Sequence, residues 1–150
     1  MSELRRLTVS DVDALFRLET LSFPSDTWSR AQLEQQLTDA RSTNLGVFAS
    51  EGLVGFVLAK SLFDESELYQ IAVSPDQQGR GLAQQLLNAL IAELRRESIA
   101  RVMLEVRASN LRAIDLYTRF GFTADGRRKD YYLIESGRED ALLLSYQVNR

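Results

Sequence analysis

A glycine-rich turn in the middle of the chain constrains the fold more than any other feature of the sequence. A strand-like run over residues 67–73 stops at Ser74-Pro75, and the turn at residues 78–83 follows it. Beyond the turn, apolar residues recur at helical spacing on one stripe, namely Leu82, Leu86, Leu90, Ile91 and Leu94. The sequence therefore predicts a strand, a tight turn and a long helix in succession.

The chain before this unit carries patterns for two short helices and a hairpin. A strand is expected over residues 4–8, and an amphipathic helix with apolar positions between residues 14 and 21 follows it. Ser29 and Gln32 match a capping box, which begins a second helix reaching to about residue 39. Two strands joined as a hairpin are then expected over residues 45–49 and 53–58.

The chain after the long helix predicts a strand, a helix and two further strands. Residues 101–107 alternate, which places Glu105 on the face opposite the apolar side chains. Ser109 or Asn110 caps a helix that ends at Gly121. Two last strands are expected around residues 131–132 and 141–146. We therefore expect one α+β domain over residues 1–150, with a mixed, mostly antiparallel sheet of about 6–7 strands flanked by about four helices.

Composition removes several classes of function. The chain has no cysteine and no histidine, so disulfides, cysteine nucleophiles, Ser-His pairs and histidine metal ligands are absent, and we expect no metal. The net charge of -3 argues against direct nucleic-acid binding. Apolar runs are too short to span a membrane, and the N-terminus does not resemble a secretory signal. A cytoplasmic protein, monomeric or weakly homodimeric, is expected.

The glycine-rich turn has its own chemistry. A turn that opens a helix presents unpaired backbone N–H groups and the positive end of the helix dipole, which together suit phosphate oxygens. A tight connection without any ligand is the alternative for an isolated pair of glycines. A Rossmann site would need a third glycine where Gln84 stands, and a P-loop would need Gly-Lys-Ser/Thr.

What remains resembles a known signature. The turn Gln78-Gly79-Arg80-Gly81-Leu82-Ala83 is similar to the Gln/Arg-x-x-Gly-x-Gly/Ala motif of the GNAT superfamily of acetyltransferases. Within it the chain resembles the ribosomal-protein-alanine N-acetyltransferases, densely over residues 67–141, and the loop at residues 23–28 resembles a stretched form of their Phe-Pro-Trp loop. Further matching segments are Ile71-Ala72-Val73, residues 104–110, Leu116-Tyr117, Gly121-Phe122, Tyr131-Tyr132 and residues 137–141.

The resemblance implies acetyl-CoA as cofactor and assigns residues to it. The cofactor-binding residues are then Ile71, Ala72, Val73, Gln78, Gly79, Arg80, Gly81, Leu82, Ala83, Asn110 and Tyr117, the first three through their backbone as in strand addition. Glu105 matches the proton acceptor and Tyr117 the acid for the departing thiolate. Without the motif, Glu105 reads as a solvated strand residue and Tyr117 as core packing.

The resemblance also implies an acceptor. Glu67, Tyr131, Tyr132 and Trp28 are expected beside the acceptor groove, and the partner is a ribosomal protein N-terminus, the alanine of the small-subunit protein numbered eighteen. A lysine side chain, a small-molecule amine, or a noncatalytic acyl-CoA-binding module remain alternatives. The basic residues 127–129 are interpreted as a solvated turn, with a ribosomal partner or the cofactor's 3'-phosphate as other possibilities.

Overall fold

The computed structural model describes residues 2–148, whose strands form a single seven-stranded sheet in the order β1-β2-β3-β4-β5-β7-β6. The strands are β1 Glu3–Arg6, β2 Ser42–Ala49, β3 Gly52–Leu62, β4 Glu65–Val73, β5 Arg101–Arg107, β6 Thr123–Ile134 and β7 Gly137–Gln147. The helices are α1 Val12–Ser22, α2 Arg30–Thr38, α3 Leu82–Arg96 and α4 Leu111–Phe120, with short 3-10 turns at Val9–Asp11 and Pro75–Gln77. The predicted mixed sheet with about four helices is confirmed.

One pair of neighbouring strands differs from the rest of the sheet. β4 and β5 are parallel and are joined by the α3 crossover, whereas the other neighbours are antiparallel. Their register covers only Glu65 with Arg101, Ser66 with Val102, and Glu67 with Met103. Beyond these pairs β4 and β5 carry no further pairing in residues 2–148, so the sheet opens between them.

Helices cover both faces of the sheet. On one face α3 buries Leu86, Leu87, Leu90 and Leu94 completely. On the other face α1 and α2 bury Leu15 and Leu33 against Phe56 and Leu58 of β3. Each fully buried leucine contributes roughly 1.5–3 kcal/mol of hydrophobic stabilisation, so both faces hold the sheet rigid around the opening.

The capping residues expected from the sequence lie at the observed ends of α2 and α4. Ser29 and Gln32 form the predicted capping box at the start of α2. Asn110 caps α4, because its Oδ1 accepts a hydrogen bond from the Ala113 amide at 3.2 Å. Gly121 ends that helix at a φ of 123°, a conformation that glycine adopts at little cost.

The interpretation of residues 127–129 as a turn is wrong, because these residues belong to β6. β6 is an edge strand, where charged side chains are common because they discourage pairing with other chains. Arg127 pairs with Asp140 of β7 at 2.6 Å, and the pairing of β6 with β7 is interrupted between Arg128 and Tyr132. The charged composition and this bulge together hide the strand pattern.

Candidate active site

The opening between β4 and β5 forms a cavity of about 970 Å³. Its walls come from the second half of β4, the turn before α3, the second half of β5, α4 and the loop after α1. These segments are far apart in sequence and meet only because the two parallel strands diverge. The cavity is large enough for a ligand of the size of a nucleotide cofactor.

The turn before α3 is shaped for an anion. Gly79 and Gly81 have φ values of 81° and 77°, and a Cβ atom added at either would meet nothing within 4 Å. The first backbone hydrogen bond of the helix runs from the Gln85 amide to the Gly81 carbonyl at 3.0 Å, so the amides before it have no acceptor within the helix. Open space over unpaired amides at a helix N-terminus is the environment that phosphate oxygens require.

The residues of the turn border two different cavities. Gly79, Gly81, Leu82 and Ala83 line the cavity, as does Gln78. Arg80 lies on the other side, where its guanidinium donates to Gln77 Oε1 at 3.3 Å and borders a smaller cavity of about 380 Å³. Of the predicted cofactor residues, Arg80 is the one that does not line the large cavity.

β4 presents a backbone edge to the cavity. The register between β3 and β4 shifts where Leu58 pairs with Gln70 and Ala59 with Leu68, which leaves Tyr69 as the extra residue of a bulge. Beyond the bulge, residues 71–73 pair with β3 on one side and line the cavity on the other. Their side chains pack into the cores of the two sheet faces, so the backbone is the part that faces a ligand.

Glu105 lies in the wall formed by β5. Its side chain is 23% exposed, and its Oε1 atom forms an ion pair with Nε of Arg128 in β6 at 3.1 Å. Glu67 of β4 is close enough to feel its charge: burial, and then the Glu105 carboxylate, raise the pKa of Glu67, and Arg128 lowers it. Glu67 itself does not border the cavity. Glu105 in the cavity wall therefore has a cation, Arg128, as its partner and a second carboxylate, Glu67, nearby but outside the wall.

Tyr117 of α4 reaches the same cavity from the other side. The residue is only 6% exposed, and its ring lies 5.4 Å from the Phe122 ring. Burial raises the pKa of Tyr117 well above its usual range, so the phenol keeps its proton near neutral pH. Asn110, at the start of the same helix, also lines the cavity. A base candidate and an acid candidate therefore face one space.

The loop at residues 23–28 lines the cavity with Phe23, Asp26 and Trp28. Trp28 lies against Tyr69 of the β4 bulge with ring centroids 5.5 Å apart. Asp26 pairs with Arg107 of β5 at 2.9 Å, and the Arg107 guanidinium lies 4.3 Å above the Tyr132 ring. The loop therefore contacts β4 and β5 directly, and Arg107 links it to β6.

The four predicted acceptor residues divide equally between the cavity wall and its surroundings. Trp28 and Tyr132 line the cavity. Tyr131 is 47% exposed and lies outside it, 5.0 Å from the Tyr132 ring and 5.3 Å from the Arg128 guanidinium. Tyr131 and Glu67 thus belong to the surroundings of the cavity rather than to its wall.

Sequence reasoning missed several residues of this site. Arg107 and Asp26 form the ion pair that holds the loop, and Arg128 pairs with Glu105. Glu19 is a completely buried carboxylate beneath the loop. The sequence contains a signal for this burial, because Glu19 stands four residues after Leu15, on the buried stripe of α1.

Within residues 2–148, no cluster of three or more acidic side chains is arranged to hold a metal ion. The same residues contain no helix long and apolar enough to cross a membrane.

Comparison with known proteins identifies the family. Residues 12–122 match the family described as the Acetyltransferase (GNAT) family. The chain belongs to the GNAT family. The resemblance seen in the sequence is therefore confirmed, and this GNAT protein is an N-acetyltransferase.

Curated relatives match the chain over nearly its full length. A [ribosomal protein bS18]-alanine N-acetyltransferase of Escherichia coli (strain K12) is 34% identical, and the match covers 99% of both chains. The enzyme of the same name from Haemophilus ducreyi is 33% identical over 95% of this chain and 97% of its own.

Solved structures agree with these relatives. The crystal structure of the ribosomal-protein-S18-alanine N-acetyltransferase from Escherichia coli has a TM-score of 0.92 at 33% identity, and the match covers 100% of this chain and 96% of that one. Arabidopsis thaliana NAA60 in complex with acetyl-CoA has a TM-score of 0.86 at 23% identity and covers 100% of each chain, which shows the common fold.

Proposed function

We propose that this GNAT enzyme moves the acetyl group of acetyl-CoA to the α-amine of an N-terminal alanine, that of ribosomal protein bS18. The names of the relatives at 34% and 33% identity support the acceptor. The observation that carries the chemistry is the single cavity in which the glycine turn, Glu105 and Tyr117 meet.

The cavity fits acetyl-CoA on structural grounds. The open space over Gly79 and Gly81 and the unpaired amides of the first turn of α3 suit a pyrophosphate. The free backbone edge of residues 71–73 suits an extended arm with amide groups, such as pantetheine. Asn110 and Tyr117 line the cavity across from this edge.

Two residues, Glu105 and Tyr117, each carry out one proton transfer. Acetyl-CoA, when bound, supplies an activated acetyl thioester. Glu105 accepts a proton from the attacking amine at a carboxylate oxygen, directly or through one water molecule. Tyr117, whose phenol burial keeps protonated, donates this proton to the departing sulfur. With no cysteine in the chain, transfer is direct.

An α-amine suits this machinery better than a lysine. An α-amino group titrates near 7.8 and a lysine near 10.4, so the neutral nucleophile costs roughly 3.5 kcal/mol less for the α-amine. Less of the enzyme's binding energy is then needed to make the acceptor nucleophilic.

The acceptor enters at the loop end of the cavity. Trp28 and Tyr132 form its walls, and Tyr131 and Glu67 contact the following residues of the substrate outside it. We expect the enzyme to act in the cytoplasm as a monomer or weak homodimer.

Acetyl transfer to two peptides, followed by mass spectrometry, tests the proposal. One peptide begins with a free alanine, and the other has a blocked N-terminus and one free lysine. We expect acetylation of the free N-terminus alone.

Two results would contradict the proposal. Acetylation of the lysine peptide alone would keep the family and discard the acceptor. Tight acetyl-CoA binding without turnover on any amine offered would point to a noncatalytic binding module.

A further inference from the structure

Glu19 is a charged residue type in an apolar environment. It is completely buried in α1, next to the buried Leu15 and Leu18. Within residues 2–148 it forms no ion pair with any element packed against it. Its Oε1 atom accepts two hydrogen bonds, from the Trp28 amide at 2.9 Å and from Gln70 Nε2 at 2.8 Å. The carboxyl group therefore links α1, the loop at residues 23–28 and β4.

The second oxygen of each side chain is unpartnered. Glu19 Oε2 and Gln70 Oε1 are both buried without a hydrogen-bond partner among the described residues. Two buried acceptors without donors are costly, because each has lost its hydrogen bonds to water. A proton on Glu19 Oε2 would supply a donor, and the two side chains would then pair as acid and amide through two hydrogen bonds.

We propose that Glu19 is a positioning residue, which as a neutral carboxylic acid pairs with the Gln70 amide and thereby fixes the acceptor loop against the β4 bulge. The inference rests on the proposed function, in which that loop borders the acceptor. The proton stays on Glu19 and takes no part in transfer.

Burial favours the neutral form. Burial raises the pKa of Glu19, and the hydrogen bonds from Trp28 and Gln70 lower it less. No cation pairs with the carboxyl among residues 2–148, so only the two N–H donors at Oε1 offset the loss of hydration that an anion would suffer at this position.

The pair controls the geometry of the loop. Gln70 directly follows Tyr69, the residue that packs on the Trp28 ring. The same loop reaches β5 through the pair of Asp26 with Arg107. Loss of the Glu19 contacts releases one of these two attachments and displaces Trp28, while the glycine turn on the far side of the cavity is unaffected.

Two variants separate the neutral acid from an anion. Glu19→Gln has the same shape, accepts from the same donors and supplies an N–H to Gln70 Oε1. Its KM for the alanine peptide is expected within about twofold of the wild type, whereas Glu19→Ala raises it roughly tenfold or more because two buried donors lose their acceptor. The KM for acetyl-CoA is expected to stay constant in both.

Carbon-13 NMR of the side-chain carboxyl groups provides a measurement that needs no substrate. The Glu19 carboxyl is expected to remain protonated at about pH 7, where ordinary glutamates are ionised. If Glu19→Ala does not fold, the kinetics of Glu19→Gln and this spectrum still test the proposal.

The proposal would be overturned by an ionised Glu19 at that pH, or by a folded Glu19→Gln as impaired as Glu19→Ala. A wild-type enzyme that fails to acetylate the alanine peptide would instead overturn the proposed function and leave the NMR result standing. The two failures are therefore distinguishable.

Discussion

The Glu105 carboxylate has neighbours of both charges. Arg128 pairs with it at 3.1 Å, and Glu67 carries a pKa that its charge helps to raise. The ion pair keeps the carboxylate oriented in the cavity wall, and the proposed role as proton acceptor leads to a direct prediction.

The change Glu105→Gln removes the proton acceptor and keeps the shape of the side chain. We expect kcat on the alanine peptide to fall roughly 10²–10⁴-fold, the usual contribution of a general base. Acetyl-CoA affinity, measured by calorimetry, should change little. The control is Glu135→Gln, in the exposed turn between β6 and β7, which should keep full activity. Unchanged kcat in Glu105→Gln would remove Glu105 from the mechanism.

The same substitution should also change the titration of Glu67. Because the Glu105 charge raises the pKa of Glu67, Glu105→Gln should lower that pKa toward its ordinary value. Because the Arg128 charge lowers it, Arg128→Ala should shift it in the opposite direction. Carbon-13 NMR across a pH series measures both. Equal Glu67 titration in the three proteins would mean that the groups are too far apart to interact.

Among single residues, the sequence predicts the positions that a local pattern marks and misses the contacts that depend on distant segments. Alternation in β5 placed Glu105 on the polar face, and the motif resemblance pointed to Tyr117. The partner of Glu105 was not predictable, because Arg128 reaches it only through the register of β6 on β7. The contact between Glu19 and Gln70 joins residues 51 apart, so no short-range pattern contains it.

At the scale of elements, the turn before α3 is the proposed site of the cofactor's pyrophosphate. Gly81 begins the helix at a φ of 77°, and a methyl group added there would meet no protein atom within 4 Å. Gly81→Ala therefore strains the backbone by roughly 1–2 kcal/mol and places the methyl in the space proposed for phosphate.

We expect Gly81→Ala to raise the KM for acetyl-CoA by more than tenfold, beyond what its strain explains. Gly52→Ala is the matched control: Gly52 has a φ of 112° in the β2–β3 turn, also with open space around it. It should lower the thermal unfolding midpoint similarly and leave acetyl-CoA binding intact. Equal acetyl-CoA kinetics in the two variants would argue against phosphate binding at the turn.

Elements with strong local signals were predicted well, and those dominated by pairing were not. The capping residues Ser29 and Asn110 and the alternation of β5 act within a few residues, so the sequence reveals them. The first half of β6 is charged, and it is a strand only because β7 supplies hydrogen bonds along it. The 3-10 turn at Pro75–Gln77 was likewise unpredicted.

At the scale of the whole molecule, surface ion pairs determine how stability depends on pH. Asp11, Asp39 and Asp140 each accept hydrogen bonds from a cationic side chain and a backbone amide, and these lower the pKa of each carboxyl. A lowered pKa in the folded state adds stability above the unfolded pKa, which is lost as the pH falls through the folded value.

We therefore expect the unfolding free energy of the wild type to fall as the pH drops below about 4, the ordinary range of aspartate. The triple variant Asp11→Asn, Asp39→Asn, Asp140→Asn should be less stable at neutral pH and lose less on acidification. Urea unfolding at several pH values measures the difference. Parallel curves for the two proteins would show that these pairs contribute nothing through protonation.

The strand order was only partly accessible from the sequence. The parallel crossover follows from the strand, turn and helix at residues 67–96. That β7 lies between β5 and β6 follows from long-range pairing, such as Glu105 with Leu143 and Ala124 with Leu144. The cavity exists only because β4 and β5 diverge, and no single segment encodes that divergence.

Within residues 2–148, only three residue pairs join β4 to β5, and this junction divides the sheet into two parts. Few backbone hydrogen bonds cross this junction, whereas the strand pairs on either side of it are paired along most of their length. An extended ligand in the gap would add hydrogen bonds across it. The ligand-bound enzyme would then resist separation of β4 from β5 more than the free enzyme does. Release of the product would remove this added resistance.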